Sequence, residues 1–213
     1  MSSPLLILAS ASPRRESLLR ELGLPFVVVP SQVQEIVSGG PPAEAVITLA
    51  QAKARAVASL VTQGRVPGLA PARSEVSLAE SESFDLVLVV GADTAVVLEG
   101  TILGKPAGPE HARQMLLALS GRTHEVITGV AVVEARVGRE ASAAQVTRVR
   151  MADYGAAEVE AYLATGEPFD KAGAYAVQGH GGRLVAQVDG CYTNVVGLPL
   201  TTTRRLLAAW GLP

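Results

Sequence analysis

Aliphatic runs alternate along the chain with segments in which apolar residues recur at helical spacing. The runs over 4–9 and 85–90 are almost wholly aliphatic, which is typical of central strands covered on both faces. Further strands are predicted over 26–29, 95–98, 101–103, 123–135, 143–151 and 184–188. Helices are predicted over 13–22, 42–61, 109–119, 156–164 and 199–209. The pattern therefore predicts a folded chain in which strands and helices follow one another closely.

The stretch over residues 8–15 joins the first predicted strand to the first predicted helix. Ser12 is a good N-cap and Pro13 a good first helical residue. Arg14 and Arg15 then fall in the first turn, where unpaired N–H groups and the helix dipole already favour negative charge. Two cations repel this helix end unless an anion joins them, so the stretch indicates a phosphate-type anion site. The alternative is a pair of solvated arginines on a surface helix.

The second predicted helix has a lysine on its apolar face. Lys53 lies in the middle of the stripe formed by Val46, Leu49, Val57 and Leu60. A lysine there costs desolvation free energy unless it is paired or its amine reaches a polar cleft. We favour the cleft, and snorkelling of the side chain to a rim is the alternative.

Two further polar stretches are candidate ligand sites. Asp93 and Thr94 are predicted to lie just beyond the carboxyl end of the 85–90 strand, where open α/β sheets place ligands. A simple turn with Asp93 as a backbone acceptor is the alternative. In the glycine-rich stretch 166–179, Asp170, Lys171 and Gln178 provide directional polar groups.

Composition limits the partners of the chain. Of its 213 residues 48% are hydrophobic and 18% charged, which excludes a disordered chain. No apolar run reaches membrane-spanning length, so we expect a soluble, unexported protein. Cys191 is the single cysteine, which excludes an intrachain disulfide and a cysteine-based zinc site and fits a reducing cytoplasm.

Charge points to a small ligand rather than a polymer or a membrane. The formal net charge of −2 gives no general attraction to nucleic acid or anionic lipid, so a polyanionic ligand must be small and held by local charge. Fifteen of the 18 basic residues are arginines, and the three lysines are Lys53, Lys105 and Lys171. A lysine is a flexible point charge that a planar guanidinium does not replace, which draws attention to these three positions.

Four separated stretches together resemble the Maf family of nucleoside triphosphate pyrophosphatases. They are residues 8–15, residues 91–94 with 103–106, residues 170–175 with 178–179, and residues 194–200. The resemblance runs from residue 6 to about residue 207, is interrupted chiefly at 63–84, and includes all three lysines.

The resemblance implies an α/β fold with a long mixed β-sheet flanked by helices and two lobes around a central cleft, similar to inosine triphosphate pyrophosphatases. It implies one domain over 1–213. The stretch 63–84 has no clear period, which predicts a loop or a mobile insertion there. The implied reaction is hydrolysis between the α- and β-phosphates of a nucleoside triphosphate with a divalent cation, Mg or Mn. Family members are often dimers, so a homodimer is expected.

The family's functional residues map onto the matching positions of this sequence. The general base corresponds to Asp93, the phosphate-binding residues to Ser10 and Arg15, the two site lysines to Lys53 and Lys105, and the loop glutamate to Glu35. Metal ligation by Asp93 and Glu35 is an additional hypothesis, and the sequence does not separate it from the role of Asp93 as a base. Asp170 and Lys171 either contact the ligand or form a local ion pair.

Three positions match the branch of the family that acts on dTTP and UTP, namely Arg14, Thr94 and Gln178. A sister branch associated with 7-methylguanosine triphosphate has Trp, Gln and Glu there. The amide of Gln178 can donate to and accept from a pyrimidine edge. Two positions depart from the family pattern: Gln34 replaces an aspartate before Glu35, and Val177 replaces a frequent isoleucine.

Two other functions remain open at this point. The family is associated with septum formation, so a nucleotide-binding regulator without useful turnover is one alternative. A purine-directed pyrophosphatase of the inosine triphosphate type is the other. All three hypotheses share a nucleoside triphosphate as the ligand.

Overall fold

A mixed β-sheet organises the protein, whose computed structural model describes residues 4–35, 40–65 and 86–212. Its strands are β1 (Leu5–Leu8), β2 (Phe26–Val28), β3 (Val87–Leu98), β4 (Thr101–Leu103), β5 (Thr123–Glu134), β6 (Glu140–Met151) and β7 (Val185–Asp189). The strand order is β2-β1-β3-β5-β6-β7, and β4 pairs with β3. The β2–β1 and β1–β3 pairings are parallel, and the remaining pairings are antiparallel.

Helices flank this sheet, which confirms the predicted α/β class. They are α1 (Pro13–Arg20), α2 (Pro42–Thr62), α3 (Pro109–Leu119), α4 (Ala156–Leu163), α5 (Tyr192–Val196) and α6 (Leu200–Leu207). Short 3-10 helices cover Glu167–Asp170, Ala172–Ala174, Gly179–Leu184 and Ala208–Trp210. The first three α-helices begin with proline, whose fixed φ suits the first helical position.

Strand β1 is buried on both faces, as its aliphatic sequence predicts. Leu6 and Leu8 pack in the cluster that includes residues of α1 and α6. Leu5 and Ile7 point the other way and pack in the cluster with α2. A separate cluster, which includes residues of α3 and α4, covers the far part of the sheet.

The predicted end of the 85–90 strand is wrong. Strand β3 continues without a turn through Asp93 and Thr94 to Leu98. Its pairing with β5 is continuous from Leu88 to Val97, and this long ladder keeps the intervening residues extended. Asp93 and Thr94 therefore project from the middle of a central strand rather than from a loop at its end.

Smaller differences concern element bounds. Strand β6 begins at Glu140 rather than at residue 143, because it pairs with β5 over nearly the whole of that strand. Helix α5 has no counterpart among the predicted elements. Residues 66–84 of the predicted insertion and residues 36–39 of the polar loop after β2 lie outside the described residues.

Candidate active site

One cavity of about 450 Å³ brings together the site residues predicted from the sequence. Its lining includes Ser10, Arg14, Arg15, Glu35, Lys53, Asp93, Thr94, Lys105, Asp170, Lys171 and Gln178. They come from the β1–α1 turn, the first turn of α1, the loop after β2, α2, β3, the segment after β4 and the segment before β7. The tertiary structure therefore places these widely separated positions around a single cleft.

Two lysines and two carboxylates form an ionic cluster in this cavity. Lys53 Nζ lies 2.7 Å from Asp93 Oδ1 and 2.7 Å from Glu35 Oε1. Lys105 Nζ lies 2.9 Å from the other oxygen of Glu35. The Lys53 side chain is only 6% exposed, whereas that of Lys105 is 57% exposed. The expectation that the Lys53 amine reaches a polar cleft is confirmed.

The cluster keeps Glu35 ionised. Partial burial acts to raise the pKa of Glu35, but hydrogen bonds from Lys53 and Lys105 outweigh this effect and lower the pKa to about 2. Glu35 is thus a carboxylate throughout the neutral pH range, positioned between two ammonium groups.

Two glycines allow Lys53 to meet Asp93. A Cβ atom on Gly91 would lie 2.2 Å from the carbonyl oxygen of Ala50, and one on Gly129 would lie 2.4 Å from that of Val46. Both carbonyls belong to α2, so the helix backbone packs directly on the glycine backbone of β3 and β5. Gly129 is also the register partner of Asp93, which places this close approach beside the carboxylate.

Arg15 is fixed by three hydrogen bonds to different parts of the chain. Its Nε donates to the carbonyl oxygen of Gly197 at 2.9 Å, its Nη1 to Ser10 Oγ at 3.4 Å and its Nη2 to Thr94 Oγ1 at 3.0 Å. Burial lowers the pKa of Arg15, and the negative charges of Asp93 and Glu35 oppose that shift. A guanidinium has five N–H donors, so these contacts use three of them and are compatible with a ligand on the cavity side.

The helix start after β1 follows the prediction. Ser12 is the N-cap of α1, its Oγ accepts from the backbone N–H of Arg15, and Pro13 is the first helical residue. The first residues of α1, with their positive helix-dipole end, and Arg15 both line the cavity.

Thr128 and Asn194 are linked to the site, although the sequence analysis assigns no role to either side chain. Thr128 Oγ1 lies 2.9 Å from Thr94 Oγ1 and donates to the carbonyl oxygen of Asn194 at 3.0 Å. Both residues are fully buried. The available signal was a hydroxyl within the otherwise apolar stretch of β5 that ends at Glu134.

The segment before β7 is held by internal contacts. Lys171 forms an ion pair with Asp170 and donates to the carbonyl oxygen of Glu167 at 3.1 Å. The local ion pair proposed for these residues is therefore present, although both also line the cavity. Gln178 is exposed at the cavity.

His124 has a partner that the sequence did not reveal. Its Nε2 lies 2.7 Å from the hydroxyl of Tyr175, a cavity-lining residue, and the two rings meet edge to face. Burial lowers the pKa of His124 to about 4, so the imidazole is neutral at physiological pH. His124 thus supports the wall of the cavity from within the core.

Asp93 and Glu35 are the carboxylates of the cavity that fit a hard divalent cation. Their facing oxygens lie around the same Lys53 amine. Within residues 4–35, 40–65 and 86–212 no group of three or more His, Cys, Asp and Glu is arranged to hold a metal ion by itself. Magnesium commonly uses one or two carboxylates together with substrate phosphates, so this pair fits such an ion.

Among the helices of residues 4–35, 40–65 and 86–212, none has the length and apolar character that a membrane span requires.

The fold and the site define an α/β protein with a cleft in which cations surround two carboxylates. The sequence matches the family described as Maf-like protein over residues 5–210, and the chain belongs to this family.

Similar proteins extend over nearly the whole chain. A dTTP/UTP pyrophosphatase from Moorella thermoacetica is 50% identical, with 97% of this chain and 95% of that protein covered. A dTTP/UTP pyrophosphatase from Anaeromyxobacter dehalogenans is 47% identical, with 99% and 96% covered. Among solved structures, a HAM1 protein from Coxiella burnetii matches with a TM-score of 0.46 and 16% identity, covering 71% of this chain and 75% of that one.

Proposed function

We propose that this protein is a nucleoside triphosphate pyrophosphatase that hydrolyses dTTP and UTP to the monophosphate and pyrophosphate. Relatives of this name cover nearly the full chain at up to 50% identity. The observation that carries the proposal is the Asp93–Lys53–Glu35–Lys105 cluster, which lies with Arg15 in one cavity. Phosphoryl transfer requires such positive charge around phosphate oxygens and a group that orients water for in-line attack.

The cations of the cavity bind the triphosphate in this proposal. Arg15 presents a guanidinium already oriented by protein acceptors, and Ser10 adds a hydroxyl beside it. Lys53 and Lys105 provide two ammonium groups, and because each is paired with Glu35, that carboxylate offsets their mutual repulsion. Together these groups stabilise the negative charge that develops on the phosphate oxygens during bond cleavage.

Asp93 is the proposed general base. A water oxygen forms the new bond to phosphorus, the α–β anhydride bond breaks, and the carboxylate of Asp93 accepts a proton of the water. Lys53 holds this carboxylate at 2.7 Å and thereby fixes its position in the cavity.

A divalent cation, Mg or Mn, is part of the proposal. Asp93 and Glu35 would hold it together with oxygens of the bound triphosphate, and it would supply charge neutralisation at those oxygens when bound. The proposal thus gives Asp93 two alternative roles, general base and metal ligand.

Arg14 and Gln178 are proposed to select the nucleobase. Both line the cavity, neither takes part in the ionic cluster of Lys53, Asp93, Glu35 and Lys105, and Gln178 is exposed. The Gln178 amide both donates and accepts, which suits the edge of a pyrimidine base. Thr94 is the third position at which the sequence matches the dTTP/UTP branch. Its hydroxyl contacts Arg15 and Thr128.

We also propose one domain over 1–213, a cytoplasmic location and a homodimer. The family match over 5–210 supports the single domain. Size-exclusion chromatography with light scattering tests the dimer, and localisation of a fluorescent fusion tests the compartment.

A substrate panel tests the proposed activity. Purified protein with magnesium is expected to release pyrophosphate from dTTP and UTP faster than from ATP, GTP, inosine triphosphate or 7-methyl-GTP. Product analysis by chromatography identifies the monophosphate and pyrophosphate. Preference for inosine triphosphate would support the purine-directed alternative, and tight dTTP binding without product would support a nucleotide-binding regulator.

Arg14 and Arg15 are expected to differ in their effects on turnover. Arg15→Ala removes the guanidinium anchored beside Ser10 and Thr94, so kcat/KM should fall about 100-fold for every nucleotide, as loss of a buried charged contact does. Arg14→Ala should chiefly change the ranking among dTTP, UTP and the purine nucleotides. Kinetics of both variants on the same panel check this, and an identical uniform loss in both would contradict the division of roles.

A further inference from the structure

The contacts of Thr128 determine the direction of a hydrogen-bond chain that ends at Arg15. The carbonyl oxygen of Asn194 can only accept, so the single hydroxyl proton of Thr128 is committed to it at 3.0 Å. In the 2.9 Å contact between the two threonines, Thr94 must therefore be the donor. The proton of Thr94 then points away from the guanidinium, and its lone pairs face Arg15 Nη2 at 3.0 Å.

The geometry of this chain is imposed by the sheet rather than by flexible side chains. Thr94 and Thr128 are direct register partners on the antiparallel strands β3 and β5. Thr128 is fully buried, so water does not compete for its hydroxyl. The acceptor end is equally fixed, because the Asn194 side chain donates to the Val126 carbonyl oxygen and to Thr147 Oγ1, both at 2.9 Å.

Helix α5 consequently holds Arg15 at two points. It holds the Nε end directly, through the carbonyl oxygen of Gly197 just after the helix at 2.9 Å. It holds the Nη2 end indirectly, through Asn194, Thr128 and Thr94. Two anchors on a planar guanidinium fix both its position and its plane, which is the requirement for forked recognition of a phosphate.

We infer that Thr128 is a positioning residue for phosphate binding: through Thr94 it sets the orientation in which Arg15 meets the phosphates of the ligand. The inference rests on the proposed function, because it takes the anion beside Arg15 to be a phosphate. Without the Thr128 hydroxyl, the Thr94 proton loses its acceptor and can turn toward the guanidinium, where a donor faces a donor.

The test compares Thr128→Val, which removes the hydroxyl at nearly constant shape, with Thr128→Ser, which retains it. Binding of inorganic pyrophosphate in the presence of magnesium is measured by titration calorimetry. We expect roughly tenfold weaker binding for Thr128→Val and binding within about twofold of wild type for Thr128→Ser. In turnover of dTTP and UTP, Thr128→Val should lower kcat/KM about equally for both, leaving their ranking unchanged.

Thr203→Val is the matched control. Thr203 is also fully buried and donates to a backbone carbonyl oxygen, that of Pro199, but its hydroxyl is not part of the hydrogen-bond chain to Arg15. Its loss should leave pyrophosphate affinity unchanged, while the melting temperatures of both valine variants report any general loss of stability. If Thr128→Val does not fold, Thr94→Val and Thr94→Ser apply the same comparison to the middle of the chain.

The outcomes separate the inference from the proposed function. The positioning role is wrong if folded Thr128→Val binds pyrophosphate as tightly as wild type, or if Thr128→Ser loses as much affinity as Thr128→Val. Either result would leave the proposed activity unaffected. Absence of nucleotide hydrolysis by the wild-type protein would overturn the activity, while the pyrophosphate affinities would still decide the role of Thr128. If the wild-type protein does not bind pyrophosphate, the phosphate site at Arg15 and the inference are both wrong.

Discussion

Replacing Asp93 with asparagine is expected to lower pyrophosphate release from dTTP about 1000-fold, within the usual range for loss of a general base. The amide has nearly the same shape as the carboxylate, and its oxygen can still accept from Lys53, which now lies 2.7 Å from Asp93. An amide cannot accept the proton of the attacking water, and it is a poor ligand for magnesium. Single-turnover assays of product formation, together with a thermal unfolding curve, measure this effect.

Asp153→Asn is the control for this substitution. Asp153 is an exposed carboxylate that does not line the cavity, so its neutralisation should leave turnover unchanged. If the Asp93 variant folds normally and retains more than about a tenth of the wild-type rate, Asp93 is not the base.

Replacing Gly91 with alanine is expected to destabilise the protein by about 3 kcal/mol or more, at the upper end of overpacking effects. The added methyl group would lie 2.2 Å from the Ala50 carbonyl oxygen and 2.9 Å from the Ala54 backbone nitrogen. These are backbone atoms of α2, so no side-chain rotation relieves the overlap, and the helix must move away from β3. The midpoint of urea unfolding measures the loss of stability.

The same displacement should weaken the site, since Lys53 lies on α2 and Asp93 on β3. Turnover of folded Gly91→Ala should fall in addition to its stability. Gly104→Ala provides the comparison for unfolding, because a Cβ atom there meets nothing within 4 Å. A change of less than about 1 kcal/mol in the Gly91 variant would show that α2 adjusts easily, contrary to close packing of two backbones.

The sequence could identify those site residues whose charge conflicts with their predicted local environment. Lys53 interrupts an apolar stripe, and Arg14 and Arg15 place two cations in a helical turn that favours negative charge. Such exceptions are costly in isolation, so they point to partners elsewhere in the chain. The structure supplies such partners for Lys53 and Arg15.

The prediction for Asp93 shows where local reasoning was wrong. The aliphatic run over 85–90, followed by Gly91, predicts a strand that ends there. The glycine instead provides the space in which α2 lies against the sheet, a contact with residues about 40 positions away that the local sequence does not record. Strand β3 then extends to Leu98 because β5 pairs with it along this whole stretch.

The sequence by itself determined the α/β pattern of elements, the cap of α1 and the set of polar and charged residues that need partners in a largely apolar chain. Only the tertiary structure decided which of them meet. Lys53 reaches Asp93 across 40 residues of sequence, and Arg15 reaches Thr94 across 79 and Gly197 across 182. These contacts depend on strand register and on helix-to-sheet distance, which arise from packing of the whole core rather than from any local preference.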